Sequence, residues 1–210
     1  MSKVVIDMTI SLDGYVAGPD DGPQYPLGKN GGMAIFDWYF SGTKEYRNPL
    51  FKPEEGVNLD VVKKAFEESG AFVTGRKTYD ITNGWNGRHP VEGLPIFVLT
   101  HNPPPASEVP KGPSSLTFVT DGIEHAIKLA KAAAGNKDVK LGGASPGKQA
   151  LKAGLVDEIF VHIAPYLLGS GVPLFDILDH GIRLEKIYAA DGPLATHIRY
   201  RVLYQTPKTI

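Results

Sequence analysis

The chain has no cysteine among its 210 residues. That excludes a disulfide scaffold, a thiolate metal centre and a thiol nucleophile. An excess of one charge sign is also missing. With 22 Lys and Arg against 23 Asp and Glu, the formal net charge is −1, so electrostatics offers no case for nucleic acid or an anionic membrane surface as partner. No apolar run approaches the ~20 residues that span a bilayer, and the start, Met1-Ser-Lys-Val-Val-Ile, lacks the architecture of a secretory signal. Internal repeats, charge blocks and low-complexity tracts are lacking. The six histidines (89, 101, 125, 162, 180 and 197) keep no metal-ligand spacing, and no Ser/His/Asp order stands out, so no metal is expected. What remains is a chain expected in the cytoplasm, long enough to bury a sizeable core.

What is present is organised around Val139 to Gly154. A short β-type run (Val139, Leu141) meets Gly142 and Gly143. Ser145-Pro146 then reads as a helix start, with Ser as N-cap and Pro at the first helical position, and Gly154 suits the stop. A second strand, Leu155 to Ala164, follows. This is a βαβ unit with a helix N-terminus facing two glycines, where free N–H groups favour an anion such as a phosphate. A tight connection with no ligand is the alternative. Gly142 to Lys148 nearly spells a P-loop, but Gln149 stands where a Mg²⁺-binding Ser or Thr is required, which disfavours an ATPase.

The rest of the chain alternates in the same way. Lys3 to Ile10 is a strand with Val4, Ile6, Met8 and Ile10 on one face and Val5, Asp7 and Thr9 on the other, Asp7 reading as a strand-face polar residue. A long turn-rich loop runs to Met33, open to reading as a lid. Ala34 to Phe40 starts a helix in which Asp37 sits among Phe36, Trp38, Tyr39 and Phe40. An acid in such surroundings is a candidate proton donor, and packing is the alternative. An amphipathic helix follows over 58–69, with Asn58 as cap, Val62, Ala65 and Phe66 inward, and Gly70 as stop. Ala71 to Thr74 is a strand, and Gly75-Arg-Lys-Thr-Tyr-Asp-Ile81 turns into a helix. Arg76 and Lys77 oppose the helix dipole in its first turn, a placement that a bound anion would relieve, while Thr78 adds a hydroxyl. Strands at Pro95 to Thr100 and Leu116 to Val119 precede a helix over 122–134, opened by a capping-box-like Asp121 and Glu124. His162 reads as a packed histidine in its strand. The glycine loop Pro165 to Phe175 is either a surface connection or shaped to admit a ligand. Arg183 to Ala190 and Thr196 to Gln205 form an antiparallel pair. The fold class is α/β, with a mostly parallel central sheet, an antiparallel C-terminal strand pair and flanking helices. Two phosphate-like cradles point to a dinucleotide.

Six segments in order resemble the dihydrofolate reductase-like family, and within it the reductase domain of the bacterial riboflavin-synthesis deaminase-reductase. They are Ser11-Leu-Asp-Gly-Tyr-Val-Ala-Gly18, Thr74-Gly-Arg-Lys-Thr-Tyr79, Val98-Leu-Thr-His101, Leu141-Gly-Gly-Ala144, Leu155-Val-Asp-Glu-Ile159 and Pro165 to Phe175. The resemblance implies a dihydrofolate reductase-like fold, a single reductase domain over 1–210, and NADPH-dependent hydride transfer to a small heterocyclic or ribosyl-pyrimidine-like substrate. By position it implies that Gly75, Arg76, Lys77 and Thr78 meet cofactor phosphates, with Leu99, Thr100 and His101 near the adenosine half. Gly142, Gly143, Ala144 and Ser145 would approach the pyrophosphate, the two glycines joined by a cis bond. Thr9, Val16 and Ala17 would lie by the nicotinamide. The substrate would lie against Asp37, the helix from Asn58 and the loop Gly169 to Gly171. Folate reductases carry an acid on the first long helix, and Asp60 falls just off that position. Asp37 and Asp60 are therefore the candidate catalytic acids. The cysteine-free chain cannot hold the zinc deaminase signature. A homodimer is implied as well. The alternative is an NADP(H)-binding protein of this fold without turnover.

Overall fold

The computed structural model describes residues 2–47, 51–176, 178 and 180–204. Period-two apolar runs become strands and 3.6-period runs become helices along its length. In chain order these are β1 (Val4–Ser11), β2 (Tyr15–Ala17), α1 (Asp37–Phe40), α2 (Val57–Glu68), β3 (Ser69–Gly75), α3 (Arg76–Thr82), β4 (Ile96–Leu99) and β5 (Leu116–Val119). Then come α4 (Ile123–Ala134), β6 (Asp138–Gly142), α5 (Ala144–Lys152), β7 (Glu158–Ala164), β8 (Val172–Pro173), β9 (Arg183–Gly192) and β10 (Ala195–Leu203). Gln205, the last residue of the expected final strand, lies outside the described residues.

Among the described residues, eight strands form one sheet in the order β5-β4-β3-β6-β1-β7-β10-β9, and β2 pairs with β8 apart from it. All contacts from β5 to β7 are parallel, and β7-β10 and β10-β9 are antiparallel. This is the dihydrofolate reductase-like architecture expected from the sequence. The chain leaves β1 over α2 to reach β3 on one side, and leaves β6 over α5 to reach β7 on the other. Right-handed crossovers in opposite directions put these helices on opposite faces and open a crevice at the carboxyl ends of β6 and β1.

The two faces differ in chemistry. Under α4 and α5, Val4, Ile6, Val139, Leu141, Ile159 and Val161 form a dry apolar core with Ala126, Ile127, Ala130 and Leu151. Under α1 and α2, smaller apolar groups surround buried polar side chains: Thr9, Lys140, Glu158, His162, His197 and Arg199 are each at most 8% exposed.

Several expected boundaries move. Asn58 does not cap α2. Gly56 precedes the helix, and Asn58 sits inside its first turn, fully buried and turned toward the sheet. Val61 joins Val62 and Phe66 inside, where Ala65 was expected. Gly70 does not stop α2, because Ser69 ends the helix and the chain enters β3 directly. Asp121 forms no capping box, since its carboxylate pairs with His125 and Gly122 leads into α4. α5 begins at Ala144, so Ser145 and Pro146 lie inside its first turn and Gly143 is the preceding residue.

Candidate functional site

The expected cofactor residues collect on one rim of the sheet. Gly75 is the register partner of Leu99, and Thr74 that of Gly142, so β4, β3 and β6 bring their carboxyl ends level beside β1. Leu99 ends β4, and the buried Thr100 follows it. Arg76, Lys77 and Thr78 open α3, and Ala144 and Ser145 open α5. Thr9 lies near the end of β1, buried, where its Oγ1 accepts a hydrogen bond from Trp38 Nε1–H at 3.2 Å. Val16 and Ala17 are buried in β2, which crosses above on the ribbon with β8. His101 and Ser145 are exposed.

Gly142 is the tightest point of this rim, where an added Cβ would meet the Phe72 ring at 2.0 Å, and Gly143 is the point of reversal. Its φ of 93° lies in a region that L side chains rarely adopt, and an added Cβ would meet Thr78 Oγ1 at 3.1 Å. Its N–H points to Met8 Sδ at 3.2 Å. No described peptide bond is cis, so the expected cis bond between Gly142 and Gly143 is trans here. The trans form is the favoured one for a non-proline pair, and the positive φ of Gly143 supplies the reversal into α5. No described side chain caps α5, so the N–H groups of Ala144 and Ser145 are open to an anion, with Thr78 opposite, while Pro146 has none and Gly147 N–H is bonded to the carbonyl of Gly143.

Two cations border this opening. The Arg76 guanidinium pairs with Asp80 at 2.8 Å and donates to the carbonyl of Asn102, tying α3 to the segment after β4. Lys77 pairs with Asp21 from the long loop after β1, which is closed on itself by Gly18 N–H to Leu27 O and Lys29 N–H to Pro19 O, both 2.8 Å. These residues suit the phosphates of a dinucleotide: backbone donors, a hydroxyl and two cations around a glycine whose positive φ disfavours any side chain.

Neither candidate acid is enclosed. Asp37 opens α1 and is exposed, because its neighbours Trp38 and Ile35 turn inward and the carboxylate faces out. The expected apolar setting for Asp37 is therefore corrected. Asp60 is likewise exposed, on the outer face of α2 opposite Val61 and Val62.

The enclosed titratable groups lie beneath. Asp7, read as a strand-face polar residue, and His162, read as a packed one, are links in a chain across β1, β7 and β10. Asp7 Oδ1 accepts from His162 Nε2–H at 3.0 Å, the two Nδ1 atoms of His162 and His197 lie 2.8 Å apart, and His197 Nε2 faces Asn58 Oδ1 at 2.9 Å. Trp38 covers both imidazoles, with ring centroids 4.7 and 5.0 Å away. Burial alone would raise the pKa of Asp7. The Lys140 ammonium at 3.3 Å and the His162 hydrogen bond outweigh it and hold the carboxyl well below its usual range. Burial, and then the nearness of His162, push His197 down to about 4. Lys140 also reaches Glu68 at 3.5 Å. Arg199 joins Glu68, Asp138 and Glu158 at 2.8, 3.5 and 2.6 Å, and Lys3 closes the far end on Glu158 at 2.7 Å. That end opens into a cavity of about 390 Å³ at the amino ends of the strands. The signal for this network was present as polar residues at alternate positions of several strands. Only the strand pairing shows that they share a face.

Compared with known proteins, the chain matches the RibD C-terminal domain over residues 2–192. It belongs to that family. This RibD C-terminal domain is 23% identical to the Bacillus subtilis (strain 168) protein YwjB, itself uncharacterised, over 183 residues that make up 87% of this chain and 88% of YwjB. A solved structure from Shewanella sp. PV-4, described as a candidate riboflavin biosynthesis protein, superposes with a TM-score of 0.68 and 25% identity, covering 96% of this chain and 99% of that one. The dihydrofolate reductase of Enterococcus faecalis, solved with NADP(H), gives a TM-score of 0.54 at 14% identity and coverages of 95% and 96%, which is a likeness of fold. The RibD C-terminal domain thus carries a reductase-type fold, and among the described residues no helix is long and apolar enough to cross a membrane.

Proposed function

We propose that this RibD C-terminal domain is an NADPH-dependent oxidoreductase that transfers a hydride to a small heterocyclic or ribosyl-pyrimidine-like substrate. The observation that carries the reading is the single rim on which Gly75 to Thr78, Leu99 to His101 and Gly142 to Ser145 meet at the ends of adjacent strands. Bound there, the cofactor would supply the hydride. Gly143 and the first turn of α5 would receive its pyrophosphate, and Arg76, Lys77 and Thr78 would bind phosphate, the two cations favouring NADPH over NADH. To free Lys77, the loop carrying Asp21 exchanges an ion pair for the cofactor's anion. The substrate would lie between the rim, α1 and the start of α2, held in line for transfer. The family match and the solved neighbour bound to NADP(H) support this reading. A homodimer in the cytoplasm is part of the same proposal.

The test is oxidation of NADPH, followed by its absorbance, across carbonyl, imine and pterin- or pyrimidine-type acceptors. Turnover of at least one of them that is lost in Gly143→Val is the expected result. Tight NADPH binding without turnover of any acceptor would favour a binding protein of the same fold.

A further inference from the structure

The loop from Gly18 to Gly32 is a body closed on itself. Gly22 and Tyr25 exchange backbone hydrogen bonds at 3.1 and 3.0 Å, Gly28 N–H reaches Tyr25 O at 2.8 Å, and Lys29 pairs with Asp20 at 3.0 Å. Glycines let its two arms touch. A Cβ on Gly18, Gly28 or Gly32 would meet the backbone oxygen of Lys29, Gly18 or Leu27 at 1.9, 2.3 or 1.7 Å. Among the described residues, one side-chain pairing reaches out of this body, that of Asp21 with Lys77 on α3. The pair is lopsided: 13% of the Asp21 side chain is exposed against 59% for Lys77. An enclosed carboxylate depends on its cation, whereas an exposed ammonium has water as an alternative partner. The neighbours are already engaged, Asp20 by Lys29 and Arg76 by Asp80 and the carbonyl of Asn102. Of the two rim cations, Lys77 alone is met by a carboxylate brought from another part of the chain.

We propose that Asp21 is a specificity-determining residue, an internal competitor for the phosphate that Lys77 recognises. This rests on the reductase reading above, in which Lys77 meets a phosphate of NADPH. The Asp21 carboxylate occupies the ammonium in the ligand-free protein, and a bound phosphate takes its place. Both anions cannot crowd one ammonium without like charges meeting at close range. Each NADPH molecule therefore binds only where Lys77 has been released, and its apparent affinity is reduced by the fraction of molecules in that state. NADH lacks the extra phosphate, gains little from Lys77 and leaves the pair in place. Asp21 thus holds the preference for the phosphorylated cofactor below the level that two free cations would set, and it recaptures Lys77 when the phosphate leaves. Because the loop's other bonds are its own, it can leave α3 as one piece, hinged where β2 enters it and where Gly32 ends it.

Asp21→Asn keeps the size of the side chain and removes its charge. In calorimetric titrations this variant should bind NADPH about fivefold more tightly than the unaltered protein, with NADH changed by less than about twofold. In a Lys77→Ala background the same substitution should alter neither affinity, since the two residues act as a pair. An NADPH affinity that Asp21→Asn leaves unchanged or weakens would overturn the proposal, and so would an equal gain in the absence of Lys77. Inorganic pyrophosphate separates this role from the reductase reading. If the unaltered protein binds no NADPH, that reading falls, and pyrophosphate titration decides the role of Asp21. Tighter pyrophosphate binding to Asp21→Asn, lost again with Lys77→Ala, upholds the competition. Equal binding to the unaltered protein and Asp21→Asn, or binding to neither, ends it.

Discussion

Lys140 holds its ammonium between Asp7 and Glu68 with 5% of its side chain exposed. A charge so enclosed depends on its partners, and removing it leaves Asp7 with His162 alone and Glu68 with Arg199 alone. Lys140→Met should therefore cost on the order of 3–5 kcal/mol of stability, read from denaturant midpoints. A loss below ~1 kcal/mol would mean that water reaches these acids. Arg76 and Lys77 lie on the rim, where their removal tests recognition rather than folding. Replacing both by Ala should weaken NADPH by at least tenfold and NADH much less. Equal losses for the two cofactors would count against a phosphate-reading role. At this scale the sequence pointed to the rim residues through their glycines and cations. It could not show Asp7, His162 and His197 as one chain, since they are separated by 155 and 35 positions and meet only through strand pairing.

At the scale of elements, β2 and β8 hold the long loop against the rim, and Gly171 sets their spacing. A Cβ there would meet the carbonyl oxygen of Ala17 at 2.1 Å, and its φ is 140°. Gly171→Ala should part the ribbon, and hydrogen exchange at Tyr15–Ala17 should quicken while exchange in β3 and β6 stays slow. Unaltered protection at Tyr15–Ala17 would show that the loop holds itself. The order of the eight sheet strands, the strand-turn-helix units and the antiparallel end pair followed from apolar periodicity, whereas β2 and β8 fall in segments read as loops and pair only across the fold. The helix starts did not. Asn58, Asp121 and Ser145 are good caps by residue type, yet glycine or a glycine-led turn opens each helix instead. Burial drew Asn58 to His197, and His125 drew Asp121. Local preference was outweighed by partners that only the assembled sheet provides.

For the whole molecule, the division into one dry face and one polar face makes stability depend on pH. His197 and His89 are both pushed down to about 4, chiefly by burial, His89 lying against Phe72 and Trp85. Each takes up its proton near pH 6.5 when unfolded and near 4 when folded, so the unfolded chain binds more protons in that window. Stability is complete above about pH 6.5 and falls as the pH drops toward 4, by roughly 3 kcal/mol per histidine at most. Thermal unfolding between pH 7 and 4 should show this loss, and replacing His89 by Phe should remove part of it. A flat profile would mean that both rings are hydrated.

On the reductase reading, the shared rim of β4, β3, β6 and β1 receives a phosphorylated nicotinamide dinucleotide. Calorimetric titration of the purified protein with NADPH, NADH and ATP tests it most directly. Tight binding of NADPH with much weaker NADH and ATP is the predicted result. Binding of none of the three, or of ATP as tightly as NADPH, would contradict it.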